Sequence, residues 1–243
     1  ISTRVAQLGS GVFARNDQRK EVYCRRLISS PDLPPLLDLS LGSTDLQPPP
    51  VAIEAIGAAL GKPASASYCL HGATLPFREA VAAWARRRLS VAVDPEREVL
   101  LLVGSQEGTA HLPLVVLNPG DAALLLDPCY PSHRGGLQLA SAETVLLPLD
   151  SERGWRPDFN HLHPAQWDAL RLMVLGFPHN PTASTGEQAW LDAAVARAID
   201  HDIVLAHDNP YVDLALDGEA PALLRHPEWR RCGIEFFSFS KGW

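Results

Sequence analysis

The chain has 243 residues, 46% of them hydrophobic, which is enough for one large core or two modest ones. Its formal net charge of −7 argues against a nucleic-acid or anionic-membrane surface, because either partner requires a basic face on the protein. No apolar stretch approaches the ~20 residues that span a bilayer, and no signal-peptide pattern opens the chain.

Two helices are predicted in the first half of the chain. The first 45 or so residues have no regular pattern, but "VAIEAIGAAL" (51–60) follows a proline run, and proline is tolerated in the first turn of a helix. "FREAVAAWARRRL" (77–89) is typical of an amphipathic helix, because helical spacing brings its large apolar residues to one face. These residues are Phe77, Val81, Trp84, Ala85 and Leu89.

From residue 99 onward, short apolar runs alternate with longer segments of helical character. The runs are "VLLLVG" (99–104), "AALLLD" (122–127), "TVLLPL" (144–149), "LRLMVLGF" (170–177), "DIVLAHD" (202–208) and "IEFFSFS" (234–240). The strongest helical segment, "EQAWLDAAVARAIDH" (187–201), is introduced by a possible capping box from Thr185 to Gln188. Apolar strands separated by helix-length connections predict a three-layer α/β/α fold with a mostly parallel sheet.

In such a sheet, ligands bind beyond the carboxyl ends of the strands, so the polar residues after each run are candidates for a site. After the first run, "GSQEGTAHL" places Gly104 at the start of a helix, whose free N–H groups favour an anion such as phosphate. Tyr130 and Asn180 follow the second and fourth runs and would supply an aromatic platform and a fixed amide. A core tyrosine and an Asn-Pro turn are the plainer alternatives.

The fifth and sixth runs are followed by charged residues. Asp208 ends the fifth run, and a carboxylate there requires a cation or several hydrogen-bond donors. Lys241 follows the sixth run, where we expect it to be buried, and a buried ammonium is costly unless it is paired or used chemically. Together these groups predict a flat phosphorylated aldehyde bound covalently to Lys241, with a ring nitrogen kept protonated by Asp208.

These motifs resemble those of the fold-type I pyridoxal-phosphate enzymes, and specifically the class I/II aminotransferases. The matching stretches are "YCLHGATLPFREAVA", "GSQEGTAHL", "NPGD", "DPCYP", "HNPTASTG", "DNPY" and "SFSK". They stand in the family's order from about residue 38 to residue 241, and the ordered set is more specific than any one motif. Within the family, the stretches around Gly104 and Tyr130 look most like LL-diaminopimelate aminotransferases and their relatives.

The resemblance implies roles for the residues that would surround the ring of the cofactor, pyridoxal 5'-phosphate. Lys241 would form the internal aldimine and move the proton between substrate and cofactor. Asp208 would pair with the pyridine nitrogen, and Tyr130 would stack on the ring; with Lys241 they are the predicted catalytic residues. Asn180 and Tyr211 would hydrogen-bond the ring hydroxyl, and Asn180 would also contact the substrate.

Further residues are expected at the phosphate and the substrate. By resemblance, Ser105, Gln106 and Ser238 would hold the cofactor phosphate. Tyr68 matches a tyrosine that reaches the phosphate of the other subunit, which implies a homodimer with shared active sites. Gly42 matches the N-terminal segment that lies over the bound substrate.

The chain departs from the family pattern after Lys241. Family members continue well past the lysine, with one arginine for the cofactor phosphate and another that grips the substrate carboxylate through a bidentate fork. We therefore expect 1–45 to form an N-terminal arm and part of a small domain. We expect 46–243 to be a large cofactor-binding domain, incomplete at its C-terminus, and the chain to be a fragment that ends before the small domain.

The implied function is transamination between an L-amino acid and a 2-oxo acid, with 2-oxoglutarate as the expected acceptor. One alternative is β-elimination or decarboxylation with the same cofactor, because the outcome depends on which substrate bond stands perpendicular to the ring. Another is a non-catalytic sensor domain like that of some transcription regulators, although the winged-helix domain that precedes those is not evident here.

Simpler interpretations are preferred for three other patterns. His161 and His163 lack a third ligand in register, so no metal site is predicted. Ser238 to Lys241 also spells S-x-x-K, but that chemistry needs a helix start, and these residues follow a strand-like run. The four cysteines are scattered without a CxxC pair, as is typical of free thiols in a reducing compartment, so we expect a cytoplasmic protein.

Overall fold

The computed structural model describes residues 1–8, 11–216 and 218–242, and its centre is a parallel β-sheet. The strands are β1 (Ala122–Asp127), β2 (Glu143–Pro148), β3 (Leu170–Leu175), β4 (Val204–Asp208) and β5 (Gly233–Phe236). Their order across the sheet is β2-β1-β3-β4-β5, and every neighbouring pair is parallel. The order changes direction between β1 and β3, and in open α/β sheets a ligand crevice forms at such a point.

Helices cover both faces of the sheet. They are α1 (Thr3–Leu8), α2 (Val12–Ser29), α3 (Pro50–Leu60), α4 (Leu75–Leu89), α5 (Ser105–Val116), α6 (Pro131–Leu139), α7 (Pro164–Ala169) and α8 (Gln188–Asp200). Short 3₁₀ turns lie at Pro63–Ala66, His71–Thr74, Ser151–Arg153, Phe159–His161, Leu223–Arg225, Trp229–Arg231 and Phe239–Lys241. Within the described residues, none of these helices combines the length and apolar character that a membrane crossing requires.

Alternation along the strands separates the core into two clusters. Leu124 on β1 packs in a cluster with α7 and α8, which contribute Trp167 and Leu191 among others. Its neighbour Leu125 packs in a second cluster that includes Leu137 of α6 and residues of α5. Successive side chains of a strand point to opposite faces, so β1, β3 and β4 each supply both clusters. The predicted three-layer α/β/α fold with a parallel sheet is confirmed.

The first predicted strand, 99–104, is wrong. This segment is irregular, and its side chains at Leu100 and Val103 are 69% and 91% exposed. An apolar run becomes a strand only when a neighbour receives its backbone hydrogen bonds, and within the described chain none of β1 to β5 pairs with it. The sixth run is also shorter than predicted, because β5 ends at Phe236.

The first 45 or so residues, predicted to be irregular, instead contain the helices α1 and α2. The other helix predictions fare better. The segments 51–60 and 77–89 form α3 and α4, and the predicted apolar face of α4 is its buried face, with Ala85 and Leu89 each 2% exposed. The segment 187–201 forms α8, but the capping box does not form. Its N-cap is Glu187, and no side chain caps the helix there.

The N-terminal residues lie on the outside of the sheet layers. Neither α1 nor α2 contains a buried residue. Arg4 Nη1 donates to the carbonyl of Leu139 at the end of α6, at 3.3 Å. The division into an arm over 1–45 and a large domain over 46–243 stays a prediction.

Candidate active site

A cavity of about 340 Å³ opens at the carboxyl ends of the strands. This volume lies within the ~300–1,000 Å³ range of small-molecule sites. Its walls come from the start of α5, the loops after β1, β3 and β4, and the turn that carries Lys241. The sequence-predicted residues that line it are Ser105, Gln106, Tyr130, Asn180, Asp208, Tyr211, Ser238 and Lys241.

Two predicted site residues do not line the cavity. Gly42 lies in the irregular segment before α3, where its carbonyl accepts a hydrogen bond from Lys241 Nζ at 3.3 Å. Tyr68 is 92% exposed. The predicted substrate contact of Gly42 and the predicted intersubunit contact of Tyr68 therefore remain predictions.

Asp208 ends β4 with one satisfied and one unsatisfied carboxylate oxygen. Its Oδ2 lies 2.9 Å from His133 Nε2, and the two side chains are 12% and 6% exposed. Because an ionised carboxylate only accepts, Nε2 must carry the hydrogen of this bond. Its Oδ1 is buried and has no hydrogen-bond partner among the described residues. A buried unpaired carboxylate oxygen is costly, so this atom calls for a ligand that donates a hydrogen bond or carries positive charge.

Sequence reasoning missed His133. It lies in the first turn of α6, three residues after Tyr130, and helical spacing places such residues on one side of the helix. The two rings meet edge to face with centroids 5.9 Å apart. The spacing in "YPSH" is the only local signal, and a single histidine at this spacing is too common to predict a partner for Asp208.

Asn180 and Tyr211 come together from the loops after two adjacent strands. The amide Nδ2 of Asn180 donates to the Tyr211 hydroxyl at 3.2 Å, and both side chains are partly buried. Asn180 follows β3 and Tyr211 follows β4, so the parallel sheet brings their loops to the same edge. The pair offers an amide and a hydroxyl to one ligand oxygen.

The start of α5 forms the other end of the cavity. Gly104 precedes the helix at φ +81°, a left-handed conformation that favours glycine. The first N–H groups of a helix have no intrahelical partner and carry the positive end of its dipole, so they favour an anion. Ser105 and Gln106 stand in this first turn, and both line the cavity.

A second glycine lets α5 lie close to the sheet. A Cβ at Gly108 would come within 2.3 Å of Phe236 Cε1 on β5 and 2.7 Å of Leu102 Cδ1. Only glycine allows this approach, which brings the start of α5 near the turn after β5. Ser238 in that turn also lines the cavity, and its hydroxyl accepts the backbone N–H of Ser240 at 3.2 Å.

Lys241 is less buried than the sequence predicted. It lies in the 3₁₀ turn Phe239–Lys241, five residues beyond the end of β5, and its side chain is of intermediate exposure. Nζ is 6.0 Å from the centre of the Tyr211 ring, and within the described residues no carboxylate forms a salt bridge with it. The run before Lys241 leaves the sheet after Phe236, and Phe239 beyond it is 61% exposed. The amine therefore faces the cavity without an ionic partner from the described chain.

Two further side chains of the cavity have shifted pKa values. Burial raises the pKa of Tyr130, and Tyr211 and Asp208 add to the effect. Burial lowers the pKa of His179 to about 4, with a further contribution from His133, so this imidazole is neutral at pH 7. Its Nδ1 lies 2.8 Å from Thr182 Oγ1. Sequence reasoning did not assign His179, although it stands directly before Asn180.

The sequence of this chain matches the family description "Aminotransferase class I and II" over residues 34–243. The chain belongs to the class I and II aminotransferases. Among curated relatives, an LL-diaminopimelate aminotransferase from Syntrophobacter fumaroxidans is 35% identical over 207 residues, covering 85% of this chain and 53% of that protein. Another from Nitratidesulfovibrio vulgaris (Miyazaki F) is 32% identical over 243 residues, covering 99% of this chain and 61% of that protein.

Solved aminotransferase structures share this fold. A probable N-succinyldiaminopimelate aminotransferase from Thermus thermophilus superposes with a TM-score of 0.89 at 39% identity, over 96% of this chain and 61% of that one. The substrate-bound structure of BacF from Bacillus subtilis superposes with a TM-score of 0.84 at 33% identity, over 92% of this chain and 57% of that one. The chain thus spans about 61% or less of the length of these relatives.

The aminotransferases of this family depend on pyridoxal 5'-phosphate, and the cavity has the chemistry to fit that group. The unpaired Oδ1 of Asp208 suits a protonated ring nitrogen, and the Asn180–Tyr211 pair suits a phenolic oxygen. The start of α5 suits a phosphate. An amine without an ionic partner in the described chain, that of Lys241, faces the same space. The residues present therefore fit the cofactor.

Proposed function

We propose that this chain is the cofactor-binding part of an aminotransferase that exchanges an amino group between an L-amino acid and a 2-oxo acid. The observation that carries the proposal is the pairing, in one cavity, of a buried carboxylate oxygen without a partner and a lysine amine without an ionic partner among the described residues. Pyridoxal phosphate, when bound, supplies a carbonyl that reacts with amines and a ring that withdraws electrons from the substrate α-carbon.

In this proposal, Asp208 keeps a proton on the ring nitrogen through its free Oδ1. His133 supports this role by donating to Oδ2 at 2.9 Å, which fixes the carboxylate plane and leaves Oδ1 as the oxygen available to a ligand. A carboxylate held in this way keeps the ring electron-withdrawing, because a hydrogen bond to a charged partner is stronger than one between neutral groups.

Lys241 would hold the cofactor covalently through Nζ. Its amine would also be the group that moves a proton at the substrate α-carbon. The contact of Nζ with the Gly42 carbonyl, at 3.3 Å, supports a position for the amine between the cavity and the N-terminal segment. That segment would cover the substrate, with Gly42 and Asn180 as its contacts.

The other residues orient the cofactor. The Asn180 amide and Tyr211 hydroxyl would hold the ring oxygen, and the Tyr130 ring would stack on one face. The phosphate would be bound by the free N–H groups of α5 together with four side chains. These side chains are Ser105, Gln106 and Ser238 of the same chain and Tyr68 of a second copy.

A homodimer with shared sites is part of the proposal. Tyr68 is 92% exposed, and large apolar side chains before and after it are exposed as well, among them Leu39, Leu70 and Val103 at 95%, 71% and 91%. Exposed apolar surface on this scale is typical of a protein interface. Val103 also lines the cavity, so a partner that covers it would close the site. We also propose a cytoplasmic location, which the four free cysteines support.

For the substrates, the names of the relatives favour a diaminopimelate-type amino acid as donor, and 2-oxoglutarate is the proposed acceptor. A half-reaction screen tests the function: the protein loaded with pyridoxal phosphate is offered one amino acid at a time. An aminotransferase converts the cofactor to its amine form and releases one 2-oxo acid per site. Release of ammonia or carbon dioxide would instead indicate elimination or decarboxylation, and an unchanged cofactor spectrum with every amino acid would contradict transamination and favour a sensor.

A further inference from the structure

A fully buried acid–histidine pair lies next to the residues that line the cavity, and the roles proposed above do not use it. Glu235 on β5 and His207 on β4 are opposite each other in the register of the sheet. Both side chains are 0% exposed, and Glu235 Oε1 lies 2.7 Å from His207 Nδ1. A buried carboxylate is costly unless its lone pairs are hydrogen-bonded. The other hydrogen bonds of Glu235 therefore identify the segments of the chain that this pair connects.

Glu235 accepts hydrogen bonds at both of its oxygens. Besides His207, Oε1 accepts from the Asn209 amide at 2.9 Å. Oε2 accepts from the backbone N–H of Leu224 at 3.0 Å. The Asn209 side chain is itself fully buried, and its Nδ2 also donates to the Pro221 carbonyl at 3.0 Å. One carboxylate thus ties β5 to the end of β4 and to the loop at 221–224.

His207 extends this network to β3. Its Nε2 accepts the backbone N–H of Phe177 at 3.1 Å, so the ring hydrogen must be on Nδ1, where it is donated to Glu235. The ionised carboxylate stabilises this tautomer, because it can only accept. Phe177 lies between Gly176 and Pro178, which both line the cavity, and three residues before Asn180.

The network fixes the ends of the two strands that carry the candidate ring contacts. His207 and Asn209 are the chain neighbours of Asp208 on either side, and Phe177 begins the loop that leads to Asn180. We propose that Glu235 is a positioning residue for the cofactor site. It holds the β3 and β4 ends so that Asp208 and Asn180 keep the spacing that the ring requires; the identity of the ligand rests on the function proposed above.

Glu235→Gln is the informative variant, because glutamine has nearly the same shape. Its amide has one acceptor oxygen and one NH₂ donor, so it cannot accept at both ends. The new NH₂ group must then face either the Leu224 N–H or the N–H groups of His207 and Asn209, and in both cases two donors meet. Leu170→Ala is the matched control. Leu170 is fully buried at the amino end of β3, so its truncation loosens the core at the end of the sheet away from the cavity.

Hydrogen exchange of the cofactor-free protein tests whether Glu235 holds the strand ends. In E235Q, amides of 175–181 and 205–212 should exchange about tenfold faster than in the wild type, the scale expected for loss of one buried charge-assisted hydrogen bond. The L170A variant should show no such local increase beyond its general loss of stability. Equal exchange in E235Q and the wild type would overturn the proposal.

Titration with pyridoxal phosphate tests whether the strand ends held by Glu235 contribute to cofactor binding. E235Q should bind the cofactor about tenfold more weakly than L170A; equal affinity of the two variants would reduce Glu235 to a structural residue and overturn the proposal. If E235Q does not fold, His207→Gln is the second variant: it breaks the hydrogen bond to Phe177, while Glu235 keeps its bonds to Asn209 and Leu224. Its amides at 175–181 should exchange faster, and it should bind the cofactor more weakly. A wild type that fails to bind the cofactor refutes the proposed function, and the exchange result still decides whether Glu235 anchors both strands.

Discussion

Burial of His179 should make the stability of this fold depend on pH between about 6.5 and 4. The side chain is 5% exposed, and burial, helped by His133, lowers its pKa from 6.5 to about 4. Because the native pKa lies below the unfolded value, folding favours the neutral ring. Its contribution is complete above pH 6.5 and is lost as pH falls towards 4. Each pH unit between these values is worth ~1.4 kcal/mol, so the full loss is about 3 kcal/mol.

Urea unfolding of the cofactor-free protein at pH 7 and pH 5 measures this effect. At pH 5 the wild type should have lost about 2 kcal/mol through His179, since the unfolded state is protonated and the native ring is not. His179→Asn removes this term, so its free energy of unfolding should fall less between the two pH values. In the control variant His111→Asn, at an exposed position on α5, the free energy of unfolding should fall as much as in the wild type. Equal falls in H179N and the wild type would refute the reasoning.

Three other changes test the site and its frame. Asp208→Asn should weaken cofactor binding about tenfold or more and lower turnover about 10²-fold or more, because the ring nitrogen loses its charged acceptor; near-normal turnover would contradict that role. Gly108→Ala should lower the free energy of unfolding by about 1–3 kcal/mol, because its Cβ meets Phe236 at 2.3 Å, whereas Gly57→Ala, with nothing within 4 Å, should not destabilise the fold through contact. Tyr68→Ala should weaken cofactor binding by the proposed dimer and leave the urea midpoint of the single chain unchanged, since Tyr68 is 92% exposed there; unchanged affinity would remove Tyr68 from the site.

The sheet and the position of the site follow from local sequence patterns. Runs such as 122–127 and 170–175 are apolar almost throughout, so they predict strands buried on both faces, and the connections between them are long enough for helices. Once the sheet is parallel, the residues that follow each strand must share one edge. This is why Tyr130, Asn180 and Asp208 could be brought together before their contacts were known.

Two of the failures have different causes, one in a partner that is distant in the sequence and one in the local backbone. The run 99–104 has the composition of a strand, but no pattern shows which edge would receive it. The capping box at Thr185 fails because a cap depends on the backbone angles of the residue before the helix, which here is Glu187.

Sequence patterns also did not predict which buried polar residues form hydrogen-bonded pairs. His133, His207 and Glu235 are single residues in unremarkable segments, and only the folded chain shows that His133 meets Asp208 and that Glu235 meets His207. Glu235 even stands within an apolar run, where a charge is usually taken for the solvent side of an edge strand. The exposure of Lys241 was misjudged for a related reason, because the length of β5 depends on its pairing with β4.

The most direct test of the central claim is borohydride reduction of the protein loaded with pyridoxal phosphate, followed by digestion and mass spectrometry. The chain contains three lysines, at positions 20, 62 and 241. Reduction fixes the cofactor to the amine that carries it, and we predict the added mass on the peptide that contains Lys241. Cofactor found on Lys20 or Lys62, with the Lys241 peptide unmodified, would contradict the account.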